Sequence, residues 1–384
     1  MKILHIGKFF PPFFGGIESF MAELLPELKN ADIAQVAMVH QHQPALISKE
    51  NFAGLPLYRA SCFGRVFFAP FSPWFFVELW QVLRQEQPDI LHLHLPNTSV
   101  FWALLLPAAR KLPWVIHWHS DVIGDKPKLA IRLLYPVYQL FERWLLKKAA
   151  AIVCTSPTYL ASSKPLQPFK HKCVVIPLGL AALADTNATL PVDKTEAEIT
   201  LRLLVVGRLA YYKGHKYLFE ALALLPAGRK VEVVLVGSGE LRRQLEQQVQ
   251  QLKLRQVTFV GSVSDTELKR WYAWCDCLCL PSIERTEAFG MVIIEAARQG
   301  KPAIVTGVPG SGMAWVVQHN KTGWVVPPAD SQALAMQLRQ LIHHPELATQ
   351  AGYNACQRFK STFSIKQVAL KLVQLYHQLV PNTK

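Results

Sequence analysis

Short apolar runs alternate with amphipathic stretches along the first half of the chain. Ile3–Ile6 is followed by a helix-spaced segment, Ile17–Leu28, and then by Ala34–Val39, Asp89–Leu95, Trp114–His119 and Ala151–Ser156. Apolar runs of this length, separated by stretches of helical period, predict buried parallel strands with crossover helices. After Cys173–Pro177 the periodicity lapses: residues 181–200 carry Asp, Thr, Asn and Pro and read as a linker.

The pattern then restarts. Leu201–Gly207 leads into a helix near Tyr217–Leu225, Lys230–Gly237 into Glu240–Leu252, and Val257–Gly261 into Thr266–Cys275. Cys277–Pro281 precedes a helix near Gly290–Gln299, and Pro302–Thr306 follows it. A second doubly wound α/β domain is expected. Ser331–His343 and Ile365–Leu379 read as helices, and no period of 20–50 residues marks a solenoid. The expected organisation is an N-terminal domain over 1–180, the linker 181–200, a second domain over 201–360, and a C-terminal helical segment, 361–384, placed to pack back on the first domain.

Composition narrows this picture. A chain of 384 residues, 51% apolar and 18% charged, is long enough for two globular domains and is not disordered. Its 41 Lys+Arg against 27 Asp+Glu leave +14, which favours anionic partners. The surplus is local in the first half: residues 1–109 carry 7 basic and 8 acidic side chains, residues 110–172 carry 11 and 3. Seven cysteines without paired CxxC spacing fit neither a disulfide framework nor a zinc ribbon. Cys275, Cys277 and Cys279 alternate along a predicted strand and read as buried thiols. The N-terminus has no signal-like apolar stretch, and no run reaches the ~18 apolar residues of a membrane span. A cytoplasmic protein is expected, with peripheral attachment to the inner face of the plasma membrane as a variant.

Several segments carry candidate chemistry. Gly15-Gly16 follows the first strand and precedes a helix, so it is either an anion-binding turn or only a tight turn. Arg208 and Lys213 flank the turn after the first strand of the second domain, where two cations can clamp a diphosphate. Glu287 to Glu295 brackets a helix start: Glu287 would precede the helix, Glu295 would lie within it, and the amides of Phe289, Gly290 and Met291 could donate to a sugar hydroxyl or phosphate. His92 and His94, like His117 and His119, are i, i+2 pairs. Four imidazoles could hold zinc, but the apolar strands around them favour no metal. No Asp-x-Asp pair is present, which predicts metal-independent chemistry with Arg208 and Lys213 neutralising the leaving group.

Taken in order, the Gly-Gly loop, Arg208 with Lys213, Gly237-Ser-Gly239, Glu287 to Glu295 and Thr322-Gly-Trp-Val-Val-Pro-Pro resemble the retaining glycosyltransferases of family 4 over nearly the whole chain. The resemblance implies the GT-B fold, two Rossmann-like doubly wound domains facing a central cleft. It also implies a nucleoside diphosphate sugar as co-substrate, with no other cofactor. Arg208 and Lys213 then bind the diphosphate, Glu287 holds the transferred sugar, Glu295 contacts the ribose, and Val263 lies where relatives place a base-contacting loop. His119, in Trp118-His-Ser-Asp121, matches the family's active-site histidine. Asp121 orients the acceptor or His119, or caps the next turn. Trp118–Asp121, Glu284–Gly290 and Gly310–Val316 resemble bacterial mannosyltransferases of polysaccharide and O-antigen assembly, which implies GDP-mannose as donor and a lipid-linked saccharide as acceptor. Met313-Ala-Trp315 departs from the family, many of whose members have Pro-Glu or Gly-Glu there.

On the acceptor side, Phe67, Phe68, Phe71, Trp74, Phe75 and Phe76 form one aromatic cluster. Leu129–Lys148 adds Tyr135, Tyr138, Phe141 and Trp144 beside Arg132, Arg143, Lys147 and Lys148. This is either core plus a solvated face or an anionic lipid interface. Two rival functions remain: an epimerase or hydrolase of GT-B shape acting on the donor alone, and, more distantly, a basic nucleic-acid-binding protein, which lacks a recognition motif.

Overall fold

The structure, a computed structural model, describes residues 1–13, 15–66, 69–122, 129–183, 201–226 and 231–380, without the side chains of Val66 and of residues 129–133. Most of residues 181–200, together with Phe67, Phe68 and the Arg132 side chain, lies outside what is described. The chain divides into two compact units, Met1–Ala181 with Ile365–Lys384, and Ala182–Ser364.

The first unit opens with β1 (Lys2–Ile6), α1 (Gly16–Asn30) and β2 (Ala34–His40). A hairpin of β3 (Ser48–Phe52) and β4 (Leu55–Ala60) follows, then a short ribbon of β5 (Arg65–Val66) and β6 (Ala69–Pro70). The chain continues through α2 (Phe75–Glu86), β7 (Ile90–Leu95), a 3-10 turn at Thr98–Leu104, α3 (Pro107–Lys111) and β8 (Trp114–Trp118). It ends its first pass with α4 (Leu129–Lys148), β9 (Ala151–Cys154), α5 (Pro157–Ser162) and β10 (Cys173–Val175). The main sheet runs β10-β9-β8-β7-β1-β2-β4-β3, parallel except for the β3–β4 edge.

Its central strands are buried on both faces, which is why they appear in the sequence as apolar runs interrupted chiefly by histidine. Register places His5 opposite His92 and His94 opposite His117. The unit is completed from the far end of the chain by α13 (Ile365–Leu379), which packs on α1 through a buried stripe including Val368, Leu372 and Tyr376.

The second unit runs β11 (Leu201–Val206), α6 (His215–Ala223), β12 (Val231–Val236), α7 (Arg242–Gln251), β13 (Val257–Gly261) and α8 (Asp265–Trp274). Its second half is β14 (Cys277–Leu280), α9 (Met291–Arg298), β15 (Ala303–Thr306), α10 (Met313–Val316), β16 (Gly323–Val326), α11 (Ser331–His343) and α12 (Pro345–Arg358). All pairs in the sheet β13-β12-β11-β14-β15-β16 are parallel. The strand order reverses between β11 and β14, the topological switch point at which open α/β sheets bind ligands beyond their carboxyl ends.

One cysteine departs from expectation. Cys277 and Cys279 lie in β14, but Cys275 ends α8 as its C-cap and is not part of the strand. The seven cysteines are all free thiols.

Candidate functional site

The second unit's site is built by two turns at the switch point. After β11 the chain passes through Gly207, at φ 142°, then Arg208, and reaches Gly214, at φ 66°, where α6 begins. After β14 it passes through Ser282 and Glu287 to Gly290, at φ 80°, the N-cap of α9. The turns are fastened together: the Ile283 amide donates to the Tyr212 carbonyl at 2.8 Å. A Cβ on Gly214 would come within 2.1 Å of the Pro281 carbonyl oxygen.

Lys213 and Glu287 meet across this junction. The Lys213 Nζ lies 2.5 Å from the Glu287 Oε2, with side chains only 8% and 13% exposed. Burial works against the charge of Lys213, but Glu287, with Tyr212 and Glu295 beside it, holds the ammonium's pKa above its ordinary value. Arg208 is exposed, and among the described residues no carboxylate pairs with it. His215 at the start of α6 is pushed down to about 4 by burial and by Lys213.

The Gly237-Ser-Gly239 turn after β12 owes its composition to close backbone approach. A Cβ on Gly237 would lie 2.0 Å from the Gly207 carbonyl oxygen, and one on Gly239 2.3 Å from that of Leu209. The Leu209 amide donates to the Ser238 carbonyl at 2.9 Å, so this turn braces the loop that carries Arg208. Val263 is half-buried in the neighbouring loop between β13 and α8, next to Ser264, whose hydroxyl caps α8.

Glu287 sits before α9 and Glu295 within it. The Ser311 hydroxyl donates to the Glu287 carbonyl at 2.5 Å and the Gly312 amide to the Ala288 carbonyl at 2.8 Å, which pins the turn from the β15–α10 side. Among the described residues, the amides of Phe289 and Gly290 make no hydrogen bond; Met291 opens α9, whose first amides have no intrahelical acceptor. The Phe289 ring faces the other way, buried edge-on against Phe363. Glu295 accepts a 2.6 Å hydrogen bond from the Tyr272 hydroxyl of α8. Burial pushes the Glu295 carboxyl up, against the opposing pull of Tyr272 and Arg298. Sequence reasoning did not find Tyr272; a residue on another helix 23 positions away leaves no local signal.

In the first unit, Gly15 precedes α1 in extended conformation and Gly16 begins the helix. The Glu18 carboxylate folds back over this turn, close enough that a Cβ on Gly15 would sit 2.1 Å from Oε2. An anionic group thus already occupies the helix N-terminus, as the dipole favours. Burial pushes the Glu18 carboxyl up, while its own amide, Lys8 and Arg65 pull it down.

His119 follows β8, and its amide donates to the Leu95 carbonyl at 3.1 Å. It belongs to a buried stack with His5, His92, His94 and His117, all at most 4% exposed. Burial drives every one of these imidazoles to low pKa, His5 to about 4. Two sets, His5–His92–His94 and His94–His117–His119, bring ring nitrogens within 4.8 Å of one another. The rings lie nearly parallel, 11° for His92–His94 and 4° for His117–His119, and ring nitrogens of His5, His94 and His119 lie within hydrogen-bonding distance along the stack. Asp121 accepts from the Trp118 indole at 2.9 Å and from the Ser163 hydroxyl at 2.7 Å, tying down the loop after β8.

The aromatic segments of this unit divide between core and surface. Phe75 is fully buried and Phe76 packs edge-on against Trp102. Trp74 and Phe71 are more than half exposed, and along α4 Leu134, Val137, Leu140, Phe141 and Trp144 project outward beside exposed Arg143 and Lys147. Among the described residues no helix is long and apolar enough to cross a membrane.

Two parallel α/β units, the second with a cationic turn, a carboxylate and free amides at its switch point, define a glycosyltransferase of the GT-B fold. Comparison with known proteins agrees. A model described as "Glycosyl transferases group 1" matches residues 190–358 and one described as "Glycosyl transferase 4-like domain" matches residues 15–179. The chain is 30% identical to the D-rhamnosyltransferase WbpZ of Pseudomonas aeruginosa, over 95% of this chain and 92% of that protein. It is 29% identical to the O-antigen chain mannosyltransferase C of Escherichia coli, over 99% of both. Among solved structures, sucrose-phosphate synthase from Thermosynechococcus elongatus superposes with TM-score 0.76 at 25% identity, covering 98% of each chain. HepE of Anabaena in complex with UDP gives 0.75 at 20% identity, covering 99% of this chain and 100% of that one. The protein belongs to the group 1, family 4-like glycosyltransferases and is a sugar-transferring enzyme.

Proposed function

We propose that this enzyme is a retaining mannosyltransferase that moves mannose from GDP-mannose to a lipid-linked saccharide in cell-surface polysaccharide synthesis. The observation that carries the donor half is the buried Lys213–Glu287 pair at the switch point, beside the exposed Arg208 and the free Phe289 and Gly290 amides. In this reading Lys213 exchanges its carboxylate for the donor diphosphate, Arg208 adds a second cation, and Glu287 turns to the hydroxyls of the transferred sugar. Glu295 meets the ribose, Val263 the base, and the first amides of α9, with Met291, the leaving group. The names of the mannosyl and rhamnosyl relatives support the sugar and the polysaccharide setting.

Transfer breaks the bond from the sugar's anomeric carbon to the phosphate oxygen and forms one to the acceptor oxygen on the same face. The departing phosphate takes the acceptor proton, and His119 meets the sugar. Arg208 and Lys213 balance the leaving group's charge, so EDTA leaves turnover intact. Gly15 and Gly16 present their turn to the ligand once Glu18 yields it, and Asp121 keeps the His119 loop in place for the acceptor.

The exposed apolar stripe of α4, flanked by Arg143 and Lys147, supports peripheral contact with an anionic cytoplasmic membrane surface, where a lipid-linked acceptor resides.

A thermal-shift panel of nucleotide sugars tests the donor. GDP-mannose at a hundred times its Kd should add about 2.7 kcal/mol of stability. Stabilisation by UDP-sugars alone would overturn the donor assignment, and release of free mannose without a new glycoside would overturn transfer itself.

A further inference from the structure

Three of the buried histidines form one hydrogen-bonded line. Gln35 of β2 donates its amide N–H to the Ile33 carbonyl at 3.1 Å, which fixes the other end of the amide, Oε1, toward His5. His5 Nε2 lies 2.8 Å from that oxygen, and His5 Nδ1 lies 3.2 Å from His94 Nε2. His94 Nδ1 in turn lies 3.1 Å from His119 Nε2. The His119 Nδ1 is buried and has no partner.

The protons along this line follow from the fixed end. A backbone carbonyl only accepts, so the Gln35 amide nitrogen faces it and the Gln35 oxygen can only accept from His5. A neutral imidazole carries one N–H, so His5 is protonated at Nε2 and bare at Nδ1. His94 must then donate from Nε2 and accept at Nδ1, and His119 must donate from Nε2 to His94. What remains is a lone pair at His119 Nδ1.

The far terminus also decides what the line cannot do. A carboxylate there would take up a proton passed inward from His119, making a wire; an amide oxygen does not. The titratable groups that face the line are His92 and His117 on the same strands and the Tyr376 phenol of α13, 2.5 Å from His92 Nδ1; Phe20 of α1 covers His117 and His119 edge-on. None of these supplies a carboxylate.

We infer that Gln35, His5 and His94 are positioning residues that lock His119 in its Nε2–H tautomer, so that His119 Nδ1 acts as a fixed hydrogen-bond acceptor for a hydroxyl of the bound sugar. This rests on the reading of His119 as the group that meets the sugar. A lock of this kind selects ligands that place a donor at Nδ1 and leaves an unpaired buried acceptor when the hydroxyl is missing, which is costly.

The test uses full-length protein labelled with nitrogen-15 in histidine and long-range proton–nitrogen correlation spectra. The wild type should show neutral His5, His94 and His119, each protonated at Nε2, from pH 6.5 to 8. Gln35→Glu keeps an acceptor for His5 but adds a negative charge that stabilises a protonated imidazole, so an imidazolium should appear and the acidic limb of the kcat profile should move to higher pH. His94→Phe cuts the line: the His119 tautomer becomes mixed and kcat falls roughly tenfold to a hundredfold with donor KM little changed.

A wild-type His119 protonated at Nδ1 would overturn the lock, as would stoichiometric zinc in the purified protein with metal-shifted histidine nitrogens. The spectrum of the wild type and of Gln35→Glu decides the matter even if His94→Phe does not fold. Full turnover in His119→Ala would instead overturn the catalytic half of the inference, and the two failures are read by different instruments.

Discussion

The two units present the same kind of sheet edge but equip it in opposite ways. At the carboxyl ends of β11 and β14, full charges face each other in a nearly closed setting, with Lys213 on Glu287 and Glu295 held by Tyr272. At the carboxyl ends of β7 and β8 there are imidazoles that burial keeps neutral and that bond to one another. Charge is suited to a diphosphate, which must be bound and then released with more negative charge than it brought. Neutral acceptors and donors are suited to hydroxyls, which need orientation without a cost in burying charge.

The sharpest way to break this contrast is Glu287→Gln. Turnover should fall by about 10²–10³, the scale of removing a polar group aligned on the transition state. Affinity for the nucleoside diphosphate should hold or rise, since Lys213 no longer has a carboxylate to leave. Steady-state kinetics with calorimetry separates the two effects, and a proportional loss of both would place Glu287 in donor binding.

The double substitution Arg208→Ala with Lys213→Ala comes next. Losing two charge-assisted contacts should weaken nucleoside diphosphate binding about a hundredfold or more and reduce turnover too. Unchanged affinity by calorimetry would refute the clamp.

Replacing Leu140 and Trp144 by serine removes two exposed apolar side chains from α4, 68% and 46% exposed, and should reduce binding to anionic vesicles about tenfold in flotation. Core stability should not change. Equal flotation of variant and wild type would remove the membrane surface from the first unit.

The smallest effect is in acid. His5, with its folded pKa pushed down to about 4, takes up protons more readily in the unfolded chain, whose histidines titrate near 6.5. Its contribution to stability is therefore complete above pH 6.5 and is lost as pH falls from 6.5 toward 4. Each kcal/mol lost lowers the melting temperature by about 2–4 °C for a unit of this size. His5→Phe should flatten that decline relative to the wild type in melts across this range, and an identical decline would show that His5 carries none of it.

How much of this was legible in the sequence differs with the physics of each element. Central strands such as Ile90–Leu95 and Cys277–Leu280 are buried on both faces and so read as apolar runs, the first broken only by His92 and His94. The edge strand Ser48–Phe52 is mostly exposed, and its Ser-Lys-Glu-Asn-Phe sequence carries no such run. The helix Pro345–Arg358 buries Ala348, Ala351, Gly352 and Ala355, residues too small to draw an apolar stripe. Cys275 reads as part of the strand because alternation continues through a helix cap as easily as through a strand.

The candidate site shows the same divide. Glu287 and Glu295 stand out because carboxylates around an apolar helix start are unusual, and the structure puts one before α9 and one inside it. Their partners do not stand out, since Lys213 reaches Glu287 only through the adjacency of β11 and β14. His5 was passed over because one imidazole in an apolar strand looks like core. Its place between Gln35 and His94 is set by strand order, β7-β1-β2, which the sequence does not print.

The helix α13 belongs to the first unit although it follows the whole of the second. α13 covers α1 and supplies Tyr376 to His92, yet 183 residues, Ala182–Ser364, separate it from the rest of that unit. At ribosomal speeds of about 5–20 residues per second, the N-terminal sheet waits roughly 10–40 s with the α1 surface uncovered. Deleting residues 365–384 would make the wait permanent, leaving α1 without its α13 cover and His92 without the Tyr376 hydroxyl.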